Sequence, residues 1–158
     1  MIRPARPEEL SALNALMLRS KAHWGYDDAF MAACVPVLRL TERDLTDGNV
    51  AVYGDEKAFG VCKLVTTGKD AVLDKLFVAP DAMGLGAGRA LMMWAAARAR
   101  NKGAIVMRIE ADPEAAPFYE KMGARIVGQV SSEAIEGRML PLLQLDLQDL
   151  AAAPDKSI

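Results

Sequence analysis

The stretch PDAMGLGAGRALMMWAAARARNKG, residues 80–103, places glycines at 84, 86 and 88 and then runs straight into an alanine-rich segment. Glycine tolerates φ > 0 at little steric cost and lets a backbone come close to a ligand. A helix start carries unpaired N–H groups and a partial positive charge, which suit an anion such as a phosphate. By itself the loop is equally well a tight turn between a strand and a helix. The flanking segments have to separate the two readings.

Downstream, residues 87–102 are rich in Ala, Leu, Met and Arg, all good helix formers, and Gly103 supplies a C-terminal cap. Leu91, Met92, Trp94 and Ala95 fall on one helical stripe and read as core packing. AIVMRIEA (104–111) is an apolar strand, and a strand after such a helix implies a right-handed crossover with parallel pairing to AVLDKLFVAP (71–80). PEAAPFYEKMGA (113–124) reads as a short helix, followed by strands RIVGQVS (125–131) and RMLPLLQLDL (138–147). Upstream, residues 47–65 read as a hairpin about GDEK, with TTGKD (66–70) as a second turn. IRPAR (2–6) is an edge strand, where proline is tolerated. PEELSALNALMLRSKA (7–22) is a helix opened by Pro7. HWGY (23–26) interrupts it, and residues 27–40 resume helical spacing with a break at Pro36. The order β-α-α-β-β-β-α-β-α-β-β implies an α/β (α+β) fold, with a mixed, mostly antiparallel sheet of about seven strands flanked by about four helices. One domain spans 1–150, and 151–158 is a frayed tail.

Bulk properties narrow the function classes. At 158 residues, with 52% hydrophobic and 25% charged residues, the chain is large enough for one proper core. A net charge of −2 gives no electrostatic footprint for nucleic acid. No segment has the signature of a signal peptide or a membrane span. Cys34 and Cys62 lie in apolar contexts without CxxC spacing, so they read as buried thiols of a reduced, cytoplasmic protein, and two Cys with one His offer no zinc spacing.

The glycine loop and the ADPEAAPFYEKMGA segment (111–124) together resemble the GNAT superfamily of N-acetyltransferases. That family's loop has the form Arg/Gln-x-x-Gly-x-Gly/Ala. Gly86 and Gly88 match its glycine positions, Gly84 adds a third, and Met83 stands in the Arg/Gln slot. The second signature, Asn-x-x-Ala-x-x-Phe-Tyr-x-x-x-Gly, is matched by Ala115, Phe118, Tyr119 and Gly123, with Asp112 where Asn is usual. The dinucleotide fingerprint fails at Arg89, and no Gly-Lys-Ser/Thr closes a P-loop. The resemblance implies acetyl-CoA as co-substrate. Its pyrophosphate would lie on the amides of Met83, Gly84, Gly86, Ala87, Gly88 and Arg89, its pantetheine arm along Phe77 and Val78, with Asp112 and Phe118 alongside.

Acetyl transfer needs a neutral amine, a polarised thioester and a proton for the leaving thiolate. The resemblance implies that Tyr119 is the general acid; on packing grounds alone it is a half-buried ring. Asp74, expected by strand alternation to share a face with Val72 and Leu76, is the candidate base, with Glu110, His23 and water as rivals. His23, Trp24 and Tyr26 fall where the family's acceptor pocket lies, and their rings suit a cation; Asp27 and Asp28 attract an ammonium group or cap a helix. These readings give an acetyl-CoA-dependent N-acetyltransferase acting on a small-molecule or peptide amine. An acyl-CoA-binding sensor on the same fold is the alternative. The apolar C-terminal strands leave homodimerisation open.

Overall fold

Leu91, Met92, Ala95, Ala96 and Ala99 form a buried stripe along the helix that follows the glycine loop, and this stripe fixes how the molecule is layered. The computed structural model describes residues 1–148, so the tail expected at 151–158 and the boundary at 150 lie outside the described residues. In chain order the elements are strand β1 (Ile2–Pro4), helices α1 (Leu10–Ala22), α2 (Asp28–Cys34) and α3 (Glu42–Thr46), and strands β2 (Val50–Tyr53), β3 (Gly60–Thr67) and β4 (Asp70–Val78). Helix α4 (Ala87–Asn101), strand β5 (Val106–Glu110), helix α5 (Ala116–Lys121), and strands β6 (Arg125–Ser131) and β7 (Met139–Asp146) complete the fold.

The strands form one seven-stranded sheet in the order β1-β2-β3-β4-β5-β7-β6, with β1 at an edge as its proline suggests. All neighbours are antiparallel except β4 and β5, which the α4 crossover makes parallel. One core gathers α4, α5 and the strand residues Cys62, Leu64, Leu73, Met107 and Leu143. The other packs Leu13, Leu16 and Met17 of α1 against Val50, Val52 and Val61. Helices therefore cover both faces of the sheet.

Three details depart from the sequence expectation. Helix α2 stops at Cys34, short of Pro36. A separate helix, α3, follows, giving five α-helices among the described residues rather than about four; a Thr41–Asp44 capping box starts it. That device satisfies two orphan amides of a very short helix and is the local signal for it. Third, the β3–β4 register shifts between Lys63 and Leu64, which pair with Lys75 and Leu73, so Asp74 is an extra, bulged residue. The alternation that put Leu76 on the face of Val72 and Asp74 breaks there, and Leu76 packs instead against the cluster of Ala71 and Leu73.

Candidate active site

Strands β4 and β5 pair over only three positions, Asp70–Val106, Ala71–Met107 and Val72–Arg108. Beyond Val72 the two strands part. β4 runs on through its bulge to Val78, held by β3, while β5 runs on to Glu110, held by β7. The backbone edge of β4 that faces the split is left without a strand partner, so its N–H and C=O groups are available to a ligand. A cavity of about 560 Å³ occupies this split.

The glycine loop forms one wall. Gly84 and Gly86 have φ of +80° and +91°, a region that residues with a Cβ rarely adopt, and Gly86 is the N-cap of α4. The first amide of α4 to find a helical partner is that of Ala90, from the Gly86 carbonyl, so the first turn presents its donors outward. At Gly88 a Cβ would sit 3.4 Å from the Phe118 ring and 3.6 Å from Val78, in ordinary contact, so α4, α5 and β4 converge here. Met83, Gly84, Gly86, Gly88, Arg89, Phe77, Val78 and Phe118 all line the cavity; Ala87 is buried in the first turn of α4 and does not. Arg89 reaches Met122 Sδ at 3.8 Å.

Tyr119, 5% exposed, lines the same cavity from α5. Burial, with a smaller contribution from Cys62, raises its phenol well above the ordinary tyrosine value, so the proton stays on oxygen at neutral pH. Asp74 also lines the cavity. Its carboxylate meets Lys75 Nζ at 2.8 Å and Lys63 Nζ at 3.7 Å. Glu110 lines the cavity near the end of β5. Burial first, then the charges of Glu133 and Asp74, push its carboxyl above the usual carboxylate range.

The α1–α2 connection is divided. Trp24 lines the cavity, whereas His23 stands outside it, edge-on to Trp24 at 5.3 Å. Tyr26 does not line it either. Its ring stacks on Phe30 at 3.9 Å, its hydroxyl donates to Asp112 Oδ2 at 2.7 Å and accepts from Arg138 Nη2 at 2.9 Å. Burial, and then Asp112, push the Tyr26 phenol up to about 12. Asp27 caps α2 by accepting from the Phe30 amide at 2.8 Å.

Asp112 is therefore the hub of a polar cluster. Its Oδ2 meets Lys21 Nζ at 2.5 Å and Arg138 Nη2 at 3.7 Å, and its Oδ1 accepts from the Glu114 amide at 2.8 Å. Lys21 and Arg138 both lie over the Tyr26 and Phe30 rings, at 4.8–5.8 Å from ring centroid. Lys21, Ser132, Glu133 and Arg138 line the cavity, and sequence reasoning singled out none of them. Lys21 was legible as part of SKAHWGYDD (20–28), but Arg138 reaches Tyr26 across 112 residues and left no local signal. Among the described residues no helix is long and apolar enough to cross a membrane.

A family model described as "Acetyltransferase (GNAT) domain" matches residues 46–123. No curated protein sequence matches the chain. Among solved structures, a GCN5-related N-acetyltransferase of Rhodopseudomonas palustris is 20% identical, with a TM-score of 0.76, covering 92% of this chain and 94% of that one. PaiA N-acetyltransferase of Thermoplasma acidophilum, in complex with coenzyme A, is 15% identical with a TM-score of 0.75, covering 92% and 98%. YncA of Salmonella typhimurium, a putative acetyltransferase with acetyl-CoA, is 21% identical with a TM-score of 0.67, covering 99% and 98%. At such identities the likeness concerns the fold.

Proposed function

This chain carries a GNAT acetyltransferase domain in the GNAT fold, and from that premise we propose that it transfers the acetyl group of acetyl-CoA to an amine. The observation that carries the proposal is the split of β4 from β5 after three paired residues, with the capped N-terminus of α4 at one wall and Tyr119 at another. The donor set fits the co-substrate. Outward amides at the start of α4, with the dipole behind them, suit a pyrophosphate. The unpartnered edge of β4 near Phe77 and Val78 suits an amide-bearing pantetheine arm.

In the reaction the amine nitrogen attacks the thioester carbonyl carbon, a C–N bond forms, the C–S bond breaks, and the thiolate takes a proton. Tyr119 is our candidate donor of that proton, because its phenol is protonated at neutral pH and has no hydrogen-bond partner among the described residues to hold it away from the sulfur. For the base we favour Glu110 over Asp74. Two lysines engage the Asp74 carboxylate, whereas burial, Glu133 and Asp74 raise the proton affinity of Glu110. Glu110 and Glu133, in no ion pair among the described residues, give the cavity negative charge suited to a cationic amine before it loses its proton.

Thermal unfolding with acetyl-CoA, coenzyme A, ATP and NAD in parallel tests the coenzyme. A ligand at about 100 times its Kd adds roughly 2.7 kcal/mol, or about 5–10 °C for a chain of this size. Stabilisation by the coenzyme A compounds alone, with thiol release when amines are added, supports the proposal. Binding without thiol release for any amine indicates a sensor, and stabilisation by ATP or NAD alone rejects the reading of the loop.

A further inference from the structure

The cluster around Asp112 has more positive charge than its geometry consumes. Lys21 and Arg138 share one carboxylate, in surroundings where their side chains are 12% and 20% exposed and that of Asp112 is 9%. Sheltered charge is costly unless it is balanced. Among the described residues Asp74, Glu110 and Glu133 make no ion pair with either cation; Asp74 turns to Lys63 and Lys75. Arg138 spends Nη2 on Tyr26 and Asp112, and its Nε and Nη1 find no hydrogen-bond partner among the described residues. Its guanidinium is held against the Tyr26–Phe30 stack, at 5.1 and 4.8 Å from the ring centroids, while the residue lines the cavity. A planar donor fork held beside two rings, with Nε and Nη1 unpartnered among the described residues and the residue on a pocket, is an arrangement for binding a carboxylate in two-point fashion.

We propose that the acceptor is an amino carboxylate, a molecule carrying both an amine and a carboxylate, and that Arg138, with Lys21 beside it, anchors the carboxylate. This rests on the acetyl-transfer reading and names the acceptor class for that same site. The pocket lining carries both signs, with Glu110 and Glu133 available to an ammonium and Arg138 and Lys21 to a carboxylate. Asp112, to which Arg138 is tethered, is only two residues past Glu110, a span of at most about 7 Å of chain. A compact zwitterion such as a free amino acid bridges that distance with one hydrogen bond at each end, whereas a simple alkylamine leaves Nε and Nη1 of Arg138 unsatisfied. Arg138 is thus a specificity-determining residue and takes no part in proton transfer.

The test measures kcat and KM by thiol release for the common L-amino acids, each beside its amide and its decarboxylated amine. The expected wild-type result is a preference of about thirtyfold or more for a carboxylate-bearing acceptor, expressed mainly in KM. Arg138→Gln should abolish that preference, raising KM for the acid far more than KM for the decarboxylated amine, and Arg138→Lys should restore part of it. The proposal is overturned if wild type uses the amides or amines as well as the acids. It is equally overturned if Arg138→Gln slows both classes alike, as a purely structural cluster requires, or if a chain that binds acetyl-CoA and acetylates other amines uses no amino carboxylate. Failure to bind acetyl-CoA would instead remove the reading beneath it, and the acceptor class with it.

Discussion

Replacing Asp112 by asparagine installs the residue that the second GNAT signature usually has, yet the structure predicts that this chain will lose stability. The carboxylate receives Lys21 at 2.5 Å, Tyr26 at 2.7 Å and the Glu114 amide at 2.8 Å, with Arg138 at 3.7 Å. An asparagine keeps one acceptor oxygen and removes the charge, leaving two sheltered cations beside a neutral amide. Removing one partner of a fully buried ion pair costs about 3–5 kcal/mol. Solvent in the adjoining cavity screens this cluster in part, so about 2–3 kcal/mol is the reasonable expectation. For a chain of this length that corresponds to a fall in Tm of roughly 4–12 °C. Calorimetry on Asp112→Asn, Lys21→Met and the double variant provides the cycle, and a coupling of about 1 kcal/mol or more is expected. The pH dependence adds a second check. Burial alone would raise the Asp112 carboxyl, but Lys21, the Glu114 amide and Tyr26 outweigh it and leave it below the ordinary value. A depressed carboxyl contributes stability that is present above its unfolded pKa of about 4 and is lost as pH falls through the folded value. The gap in Tm between wild type and Asp112→Asn should therefore narrow in acid. A variant within about 1 °C of wild type at neutral pH, or a gap that does not narrow, would refute the ion-pair account.

Tyr119→Phe should lower kcat by about a hundredfold or more with little change in coenzyme affinity. Its hydroxyl makes no hydrogen bond among the described residues, so Tm should hold, and an unchanged kcat would remove Tyr119 as the acid. Because burial, Glu133 and Asp74 hold the Glu110 carboxyl above its ordinary range, wild-type kcat/KM should rise with pH along a limb displaced upward from about 4.3. In Glu110→Gln that limb should vanish and the rate fall by about a hundredfold; a limb that survives assigns it to another group. Gly86→Ala adds a Cβ that meets nothing within 4 Å, so its cost is the strain of φ +91° alone, about 1–2 kcal/mol. Coenzyme binding, measured by calorimetric titration, should weaken several-fold as the loop relaxes, and undiminished affinity would mean that the loop does not hold the coenzyme.

How much of this was legible in the chain depended on the range of the signal. The β4–α4–β5 unit declares itself locally, through glycines at 84 and 86, helix formers after them, and an apolar strand on either side. Helix α3 was missed because five residues carry too little periodicity, and its cap uses Asp44 where the usual box has Glu or Gln. The position of β7 between β5 and β6 has no local signature, since pairing across a sheet is decided by what each strand face can bury. The glycine-loop half of the site was visible for the reason that α4 was. The polar half was not, because Lys21, Tyr26 and Arg138 meet Asp112 from segments far apart in sequence, and Tyr26 read as pocket lining when its hydroxyl is spent inside the cluster. Asp74 read as an ordinary alternating residue because period-two reasoning assumes an unbroken register.

The bulge also bears on which acid is free to act. It falls two residues past the last β4–β5 pair, where β4 turns away from its parallel partner, and so belongs to the same distortion that opens the cavity. The residue it displaces is Asp74, which meets Lys75 and Lys63, and Lys63 also meets Asp44 of α3 at 3.0 Å. The carboxylate nearest the distortion is thus tied into a chain of ion pairs that runs from the site to α3. On the opposite lip, Glu110 is held by β7, is partly desolvated, and faces two like charges. Desolvation and like charges raise the proton affinity of Glu110, while Asp74 is occupied by its two lysines. Of the two carboxylates on the cavity, Asp74 is thus held in ion pairs, and Glu110, in no ion pair among the described residues, is the one left to take a proton from an ammonium.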